Sequence, residues 1–256
     1  MKLICLGSGS TGNGYILETE KEAIMIECGI SMREIKKALK WDISKIVGCL
    51  VSHHHQDHAK YLPEVIKCGI KVLALPEVFS IRLWGKSGRE TKPFCKEIEP
   101  MHGYKVGGFK VFTFPLNHAN NDGSECPCLG FLIEHEEMGK LLFVTDTMML
   151  KYSFPVIDHV MIEANYEDNI LAGNIESGIV ESSQRSRLLA SHLELQQSAK
   201  ILQRPEFGAV QNIILLHLSS RNSDPEKFRK VITSATGIPT QVAKAGFEMD
   251  LSKTPY

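Results

Sequence analysis

Short apolar runs recur along the whole chain, and most of them end abruptly at a polar residue or a turn. Runs of β-branched and aliphatic residues bounded by Gly, Pro, Asn or Asp are typical of strands. The pattern predicts strands at Lys2–Leu6, Tyr15–Leu17, Ala23–Ile26, Ile46–Ser52, Lys71–Leu75, Val111–Phe114, Leu129–Ile133, Leu141–Thr145, His159–Ile162 and Asn212–Leu216.

Apolar residues spaced three and four apart predict helices between these strands. One helix follows Ser31, which forms a capping box with Glu34. Further helices are predicted at Tyr61–Lys67, Pro76–Trp84, Ile175–Ala190, Leu193–Gln203 and Pro225–Thr233. Because the strands come in clusters rather than in strict alternation with helices, we expect one α/β (α+β) domain with two sheets, spanning residues 1–256.

Composition narrows the class of protein. Hydrophobic residues make up 43% of the 256 residues and the net charge is −1, which excludes disorder and a broadly basic nucleic-acid-binding surface. Arg185 and Arg187 are candidates to add positive charge to a site, but because paired arginines on a helix are usually solvated, they are interpreted as a solvated helix face. Seven cysteines without a CxxC pair indicate reduced, mostly buried thiols, and Cys126–Cys128 is interpreted in the same way.

With no secretory signal and no apolar stretch long enough to span a bilayer, we expect a cytoplasmic protein without membrane contact.

Four side chains suited to binding metal fall within six residues, directly after the apolar run Ile46–Val51. They are His53, His55, Asp57 and His58, in the pattern HxHxDH. In an extended segment His53 and His55 point to the same side, and Asp57 and His58 follow where the chain turns, so that they face a second metal. Imidazole and carboxylate ligands suit zinc or manganese. The segment therefore predicts a metal centre.

Three other apolar runs deliver a histidine or an aspartate where we expect the strand to end. These residues are His118, Asp146 and His217. Ligands carried on strand ends are held in place by a packed sheet, which gives a metal site its preorganisation.

The order HxHxDH, His, Asp, His resembles that of the metallo-β-lactamase-fold superfamily, over nearly the whole chain. The resemblance implies a four-layer αββα sandwich with a dinuclear site at one edge of its two sheets. It implies two divalent ions per chain, zinc or manganese, with iron as a further option. It also implies that the first ion is bound by His53, His55 and His118, the second by Asp57, His58 and His217, and that Asp146 bridges them.

Within this superfamily the chain is similar to the YycJ/WalJ group of DNA-processing exonucleases and their phage relatives. The similarity rests on Leu6–Asn13, Ile162–Tyr166, Ser191–Leu193 and Leu216–Ser219. Phosphodiesterases of the superfamily carry an additional histidine before the last ligand, and His192 matches its place. The resemblance implies that His192 contacts the scissile phosphate and assists the leaving oxygen.

The residues around His192 also fit a capping box from Ser191 to Glu194, which would put helix N–H groups beside His192 for a phosphate. A histidine at a helix start without a chemical role is the alternative. Three positions depart from the pattern of the group: Glu194 stands where Ser is usual, Glu27 where Asp is common, and residues 117–120 lack an Asp. These departures bear on the substrate and not on the metal ligands.

Together, these features predict a dinuclear-metal hydrolase in which a metal-activated water, oriented by Asp57, attacks a phosphodiester while His192 protonates the leaving oxygen. The expected substrate is a nucleic acid, with DNA favoured over RNA, or a small phosphodiester. The alternative is a metallo-hydrolase of thioesters, lactones or other small esters and amides, which would not need His192. A non-catalytic, metal-stabilised binding protein is a third interpretation, and the complete ligand set argues against it.

Overall fold

The computed structural model describes residues 1–83 and 91–253, so that Trp84, the expected end of one helix, lies outside the described residues. The strands β1–β14 are Lys2–Gly7, Gly14–Glu18, Ala23–Ile26, Ile46–Leu50, Val72–Ala74, Cys95–Glu97, Gly103–Val106, Phe109–Ala119, Glu125–His135, Gly139–Val144, His159–Glu163, Asn212–Leu216, Thr240–Val242 and Phe247–Asp250. The α-helices α1–α8 are Met32–Ala38, Gln56–Ala59, Leu62–Lys67, Pro76–Arg82, Asp168–Glu176, Ser183–Ser191, Leu195–Leu202 and Pro225–Thr236. Short 3₁₀ helices are Ile43–Lys45, Lys92–Phe94 and Pro205–Phe207.

Within the described residues the strands form two sheets of seven. The first has the order β14-β1-β2-β3-β4-β5-β6 and the second the order β13-β12-β11-β10-β9-β8-β7. The strands β3, β4, β5 and β6 run parallel in the first sheet, as do β10, β11, β12 and β13 in the second. Parallel neighbours bring their carboxyl ends to the same edge of a sheet, and this edge positions the site described below.

Alternating residues of the second sheet face two different cores, since successive side chains of a strand point to opposite faces. Along β10, Leu141 and Phe143 pack into the core shared with the first sheet, whereas Leu142 and Val144 pack under the helices that cover the outer face. Phe228 of α8 belongs to this outer core. The predicted mixed architecture, two large sheets flanked by helices, is therefore confirmed. A single domain over residues 1–256 stays a prediction.

Several predicted boundaries are wrong. Residues 175–190 do not form one helix, because α5 ends at Glu176 and α6 begins at Ser183; Gly178 adopts a positive φ of 72° in the turn between them. The run that includes Val111–Phe114 continues through His118 to Ala119, so that this histidine lies within β8 and not after it. The pattern also missed β6, β7, β13 and β14, which are strands of three or four residues. None of the helices in the described ranges is long and apolar enough to cross a membrane.

Candidate metal centre and catalytic site

The seven predicted ligands meet at one edge of the two sheets. The HxHxDH segment follows β4, Asp146 follows β10, and His217 follows β12. Asp146 and His217 adopt positive φ angles of 48° and 52°, and Glu27, directly after β3, adopts 66°. Non-glycine residues rarely take this conformation, which costs of order 1 kcal/mol or more, and they are concentrated at functional sites. In each case the backbone turns sharply where the strand ends, beside the site.

His53, His55 and His118 form the first group, and hydrogen bonds to neutral partners fix the orientation of each ring. Nδ1 of His118 donates to the backbone oxygen of Ser191 at 3.0 Å, and Nε2 of His55 donates to Oδ1 of Asn120 at 3.1 Å. Nδ1 of His53 lies 2.9 Å from Oγ of Ser52. Partners of this kind fix the tautomer of a metal-binding histidine.

The remaining nitrogens of this group fit a metal ion. With the tautomers above, Nδ1 of His55 and Nε2 of His118 carry lone pairs and face each other at 3.1 Å. Two lone pairs at this distance repel each other unless a cation lies beside them. Nε2 of His53 is buried without a hydrogen-bond partner in the described part of the chain. Buried nitrogens are rarely left unpaired, so the donor set suits a bound cation.

Asp57, His58 and His217 form the second group, in which the imidazoles lie against carboxylates. Oδ2 of Asp57 lies 3.0 Å from Nε2 of His217 and 3.3 Å from Nε2 of His58. Nδ1 of His58 lies 3.4 Å from Oε1 of Glu27. The carboxylate of Glu27, one of the departures from the family pattern, therefore supports the ring of His58 from the buried side.

Asp146 lies between the two groups and contacts both. Its Oδ2 is 3.1 Å from Nε2 of His58, and its Oδ1 is 3.9 Å from Nε2 of His118 and 3.8 Å from Nε2 of His217. The hydroxyl of Thr145 donates to Oδ2 at 2.6 Å. This placement agrees with the bridging role that we expect of Asp146; that role and the other ligand assignments stay predictions.

The two groups differ in protonation. Burial lowers the pKa of His118 to about 4, and it also lowers the pKa of His53 and of His55. Burial acts in the same direction on His217, but Asp146, Asp57 and Glu163 together outweigh it, and the pKa of His217 rises to about 10. The pKa of His58 is raised in the same way, by Asp146 and then Glu27.

The turns after β1 (residues 8–13) and after β3 (residues 27–31) pack against the second group. The side chain of Asn13 is buried; its Oδ1 accepts from the backbone N–H of Gly9 at 2.8 Å, and its Nδ2 lies 3.3 Å from Oδ2 of Asp57. A Cβ on Gly29 would lie 1.7 Å from the backbone oxygen of Asp57, so only glycine fits there. Asn13 is thus both a turn residue and a direct partner of a predicted ligand.

His192 lies beside the ligands and is held by Glu163, which the sequence analysis did not single out. Nδ1 of His192 is 2.6 Å from Oε1 of Glu163, and the ring stacks on that of His217 with centroids 5.5 Å apart. Oε2 of Glu163 accepts from the backbone N–H groups of Leu193 and Thr147. A carboxylate directly after the apolar residues Val160–Ile162 of β11 was the signal, since a fully buried charge needs partners.

The predicted capping box from Ser191 to Glu194 is wrong, as is the one from Ser31 to Glu34. Ser191 ends α6, whereas Glu194 is itself the N-cap of α7, accepts from Gln196 and Gln197, and forms a capping box with Gln197. Ser31 precedes α1 without a capping hydrogen bond from its side chain. The N-terminus of α7 is therefore satisfied by Glu194 and is not a phosphate site beside His192.

Cys126 and Cys128 border the first group, and Sγ of Cys126 lies within 4.8 Å of a ring nitrogen of each of His53, His55 and His118. Sγ of Cys128 is 3.7 Å from Nδ1 of His53, the nitrogen that faces Ser52, and Sγ of Cys126 is 3.7 Å from Nδ1 of His54. Burial raises the pKa of Cys126 to about 12. Both thiols are buried, as the spacing of the cysteines indicated.

Comparisons of sequence point to nucleases. The chain is 25% identical over 245 residues to exodeoxyribonuclease WalJ of Streptococcus pneumoniae, which covers 88% of this chain and 84% of the relative. It is 26% identical over 246 residues to exodeoxyribonuclease YycJ of Bacillus anthracis, covering 89% and 86%. The family described as Anti-Pycsar protein Apyc1 matches residues 1–72.

Comparisons of structure agree on the fold. The metallo-β-lactamase-fold protein YhfI of Bacillus subtilis superposes with a TM-score of 0.71 and 16% identity, covering 97% of this chain and 99% of YhfI. Zn²⁺-bound PqqB of Methylobacterium extorquens gives a TM-score of 0.71 and 13% identity, covering 98% and 100%. The chain therefore has the metallo-β-lactamase fold and, over most of its length, is similar in sequence to the exodeoxyribonucleases WalJ and YycJ.

Proposed function

We propose that this protein is a metal-dependent phosphodiesterase that hydrolyses DNA, with two divalent ions at the edge of its sheets. The observation that carries the proposal is the pair of His192 and Glu163 beside the predicted ligands. A proton donor at this place suits a reaction with an oxygen leaving group. The WalJ and YycJ relatives support DNA over RNA, since both are named exodeoxyribonucleases.

The predicted ligands would hold the ions in two sets, with His53, His55 and His118 in the first. Asp57, His58 and His217 form the second, and Asp146 lies between the sets. Divalent ions supply an activated water and neutralise the charge of a phosphate. Zinc or manganese suits the imidazole and carboxylate donors, and iron is a further option.

Asp57 is placed to orient the attacking water. Its Oδ2 contacts His217, His58 and Asn13, whereas its Oδ1 has no hydrogen-bond partner among the described residues. The side chain lines the cavity of about 400 Å³ in which the predicted ligands lie. Oδ1 is therefore available to accept a hydrogen bond from a water in this cavity.

His192 is placed to assist the leaving group. Glu163 engages Nδ1, and Nε2 has no partner in the described part of the structure although the ring lines the same cavity. Because Glu163 also binds backbone N–H groups, the orientation of His192 is fixed before substrate binds. Nε2 of His192 would donate a proton to the leaving oxygen.

The proposal is tested by a substrate panel on purified protein loaded in turn with zinc, manganese and iron. The panel holds labelled single- and double-stranded DNA and RNA, bis(p-nitrophenyl) phosphate, a thioester, a lactone and nitrocefin. We expect hydrolysis of DNA and of bis(p-nitrophenyl) phosphate and none of the last three compounds. Hydrolysis of a thioester or lactone without phosphodiester cleavage would overturn the proposal in favour of the esterase class.

A further inference from the structure

Two arginines from different halves of the chain line the cavity that holds the predicted metal ligands. Arg82 is the last residue of α4, and Arg187 lies in the middle of α6. Both belong to the wall of the same cavity as Asp57, His192 and the other site residues. The sequence did not point to Arg82, and Arg187 was interpreted, with Arg185, as part of a solvated helix face.

Arg82 is anchored through its Nε, whereas its terminal nitrogens have no partner among the described residues. Its Nε donates to the backbone oxygen of His54 at 2.6 Å, and His54 lies between the predicted ligands His53 and His55. No carboxylate lies within 4.0 Å of the guanidinium in residues 1–83 and 91–253, and its two terminal nitrogens have no hydrogen-bond partner there. The side chain is half-buried, so its direction is set by the fold.

Arg187 has neither an ion pair nor a hydrogen bond within the described ranges. It shares the cavity wall with Leu188 and Ser191 of the same helix. Arg185, only two residues away, behaves differently: its guanidinium lies 3.8 Å from Oδ1 of Asp168, and it does not line the cavity. The helix therefore directs one of its two arginines to the site.

The positive charge of a guanidinium beside a metal centre repels the bound cations, so these arginines do not stabilise the metal ions. They suit an anion that approaches the centre, and the planar fork of arginine matches phosphate oxygens in a bidentate arrangement. The scissile phosphate itself is the group that the metal ions and His192 address. The two arginines are therefore available for other phosphates of the same substrate.

We propose that Arg82 and Arg187 bind phosphates that flank the scissile phosphodiester, so that the site selects a nucleic-acid strand over a small phosphodiester. The inference rests on the proposed function and adds the determinant of substrate class to it. Both residues are specificity determinants, since they contact the substrate away from the reacting atoms.

The test compares three substrates that differ in flanking phosphates: a single-stranded DNA oligonucleotide, the dinucleoside monophosphate TpT and bis(p-nitrophenyl) phosphate. The variants are Arg82→Gln, Arg187→Gln and, as a matched control on the same helix, Arg185→Gln. We expect each of the first two to lower kcat/KM about tenfold on the oligonucleotide, mainly through KM, because a charge-assisted hydrogen bond is lost. We expect changes of less than about twofold on the other two substrates, and for Arg185→Gln on all three.

Salt dependence gives a second readout. Each phosphate contact with single-stranded DNA contributes about 0.7 to the slope of the logarithm of affinity against the logarithm of salt concentration. Arg82→Gln and Arg187→Gln should each reduce this slope by about 0.7 for a nuclease-resistant phosphorothioate oligonucleotide, followed by fluorescence anisotropy. Arg185→Gln should leave the slope unchanged.

The outcomes separate the inference from the proposed function. Equal losses on all three substrates, or an unchanged slope in the two cavity variants, would overturn the inference. A wild-type protein that cleaves no phosphodiester would overturn the proposed function, and the anisotropy measurement would still decide whether the arginines bind a strand. Circular dichroism and thermal unfolding of each variant establish that it is folded.

Discussion

Both groups of predicted ligands contain histidines, but the hydrogen-bond partners of these rings are neutral in the first group and are carboxylates in the second. In the first group the partners of the rings are neutral: Oγ of Ser52, Oδ1 of Asn120 and the backbone oxygen of Ser191. In the second group the rings of His58 and His217 face carboxylates. Burial therefore keeps the first group unprotonated, whereas the carboxylates keep protons on the second.

The two groups therefore meet an incoming cation in different states. The first group presents lone pairs that are already free, and its main cost without a metal is the repulsion between them. The second group replaces the missing charge by protons on His58 and His217, which must leave before those nitrogens bind a metal. Substitutions in one group should therefore affect metal binding differently from substitutions in the other, whereas Asp146 contacts both groups.

Asp146→Asn should have the largest effect, because Asp146 contacts His58, His118 and His217. Removal of its charge weakens cation binding in both groups at once. We expect kcat on bis(p-nitrophenyl) phosphate to fall by more than about 10⁴, which exceeds the loss of one acid–base group. Metal analysis after gel filtration should show loss from both groups. Retention of full metal content and activity would contradict the bridging role.

His192→Ala should come next, and it should spare both groups of ligands. We expect kcat to fall by about 10³ while the metal content stays unchanged, because Nδ1 of His192 is taken by Glu163 and Nε2 serves the leaving group. Glu163→Gln should cause a smaller loss, about 10- to 100-fold, by releasing the ring. Loss of metal from His192→Ala would instead identify His192 as a ligand.

The sequence pattern brings out the predicted ligands of both groups for a simple physical reason. Each of them interrupts or follows an apolar run, and in a packed sheet such a residue lies at the edge. Glu163 also ends an apolar run, as the last residue of β11, but the sequence does not show that its partner is His192, 29 residues away. Arg82 was missed, and Arg187 was interpreted as solvated, because the sequence of a helix does not show which cavity the helix borders.

The sequence predicted the long strands of the fold but missed four of the short ones. Long runs such as β10 and β12 were placed within a residue or two, since period and burial agree there. The short strands β6, β7, β13 and β14 depend on neighbours that are distant in the sequence, so local pattern did not reveal them. The capping box at Ser191 failed because α6 extends through Ser191 and Glu194 caps α7 instead, and the side chain of Ser31 makes no capping hydrogen bond.

The pH dependence of metal uptake should differ between the groups. The pKa of His118 is about 4, so no proton competes at its nitrogen between pH 6 and 8. The pKa of His217 is about 10, so its unprotonated fraction rises about tenfold for each pH unit in this range. Because His58 must lose a proton as well, we expect the affinity of the second group for zinc to rise by more than this factor per pH unit and that of the first group to stay nearly constant.

Calorimetric titration of the metal-free protein in two buffers of different ionisation enthalpy measures this directly. Binding to the second group should release protons to the buffer, and binding to the first should release almost none. Two binding events with the same pH dependence would show that the protons are shared across both groups, and the contrast drawn above would be lost.

Two variants of residues that contact the rings of predicted ligands should have the smallest effects, and they separate the two groups most directly. Glu27→Gln keeps an oxygen for the backbone N–H of Ser52 but removes the charge beside Nδ1 of His58, so we expect about tenfold weaker zinc binding in the second group only. Ser52→Ala removes the hydroxyl 2.9 Å from Nδ1 of His53 and should weaken the first group only. Titration with a competing chromophoric chelator measures both affinities. If either variant weakened both groups equally, the neutral and the carboxylate settings would not act independently, and Asp146 would couple them more strongly than its distances indicate.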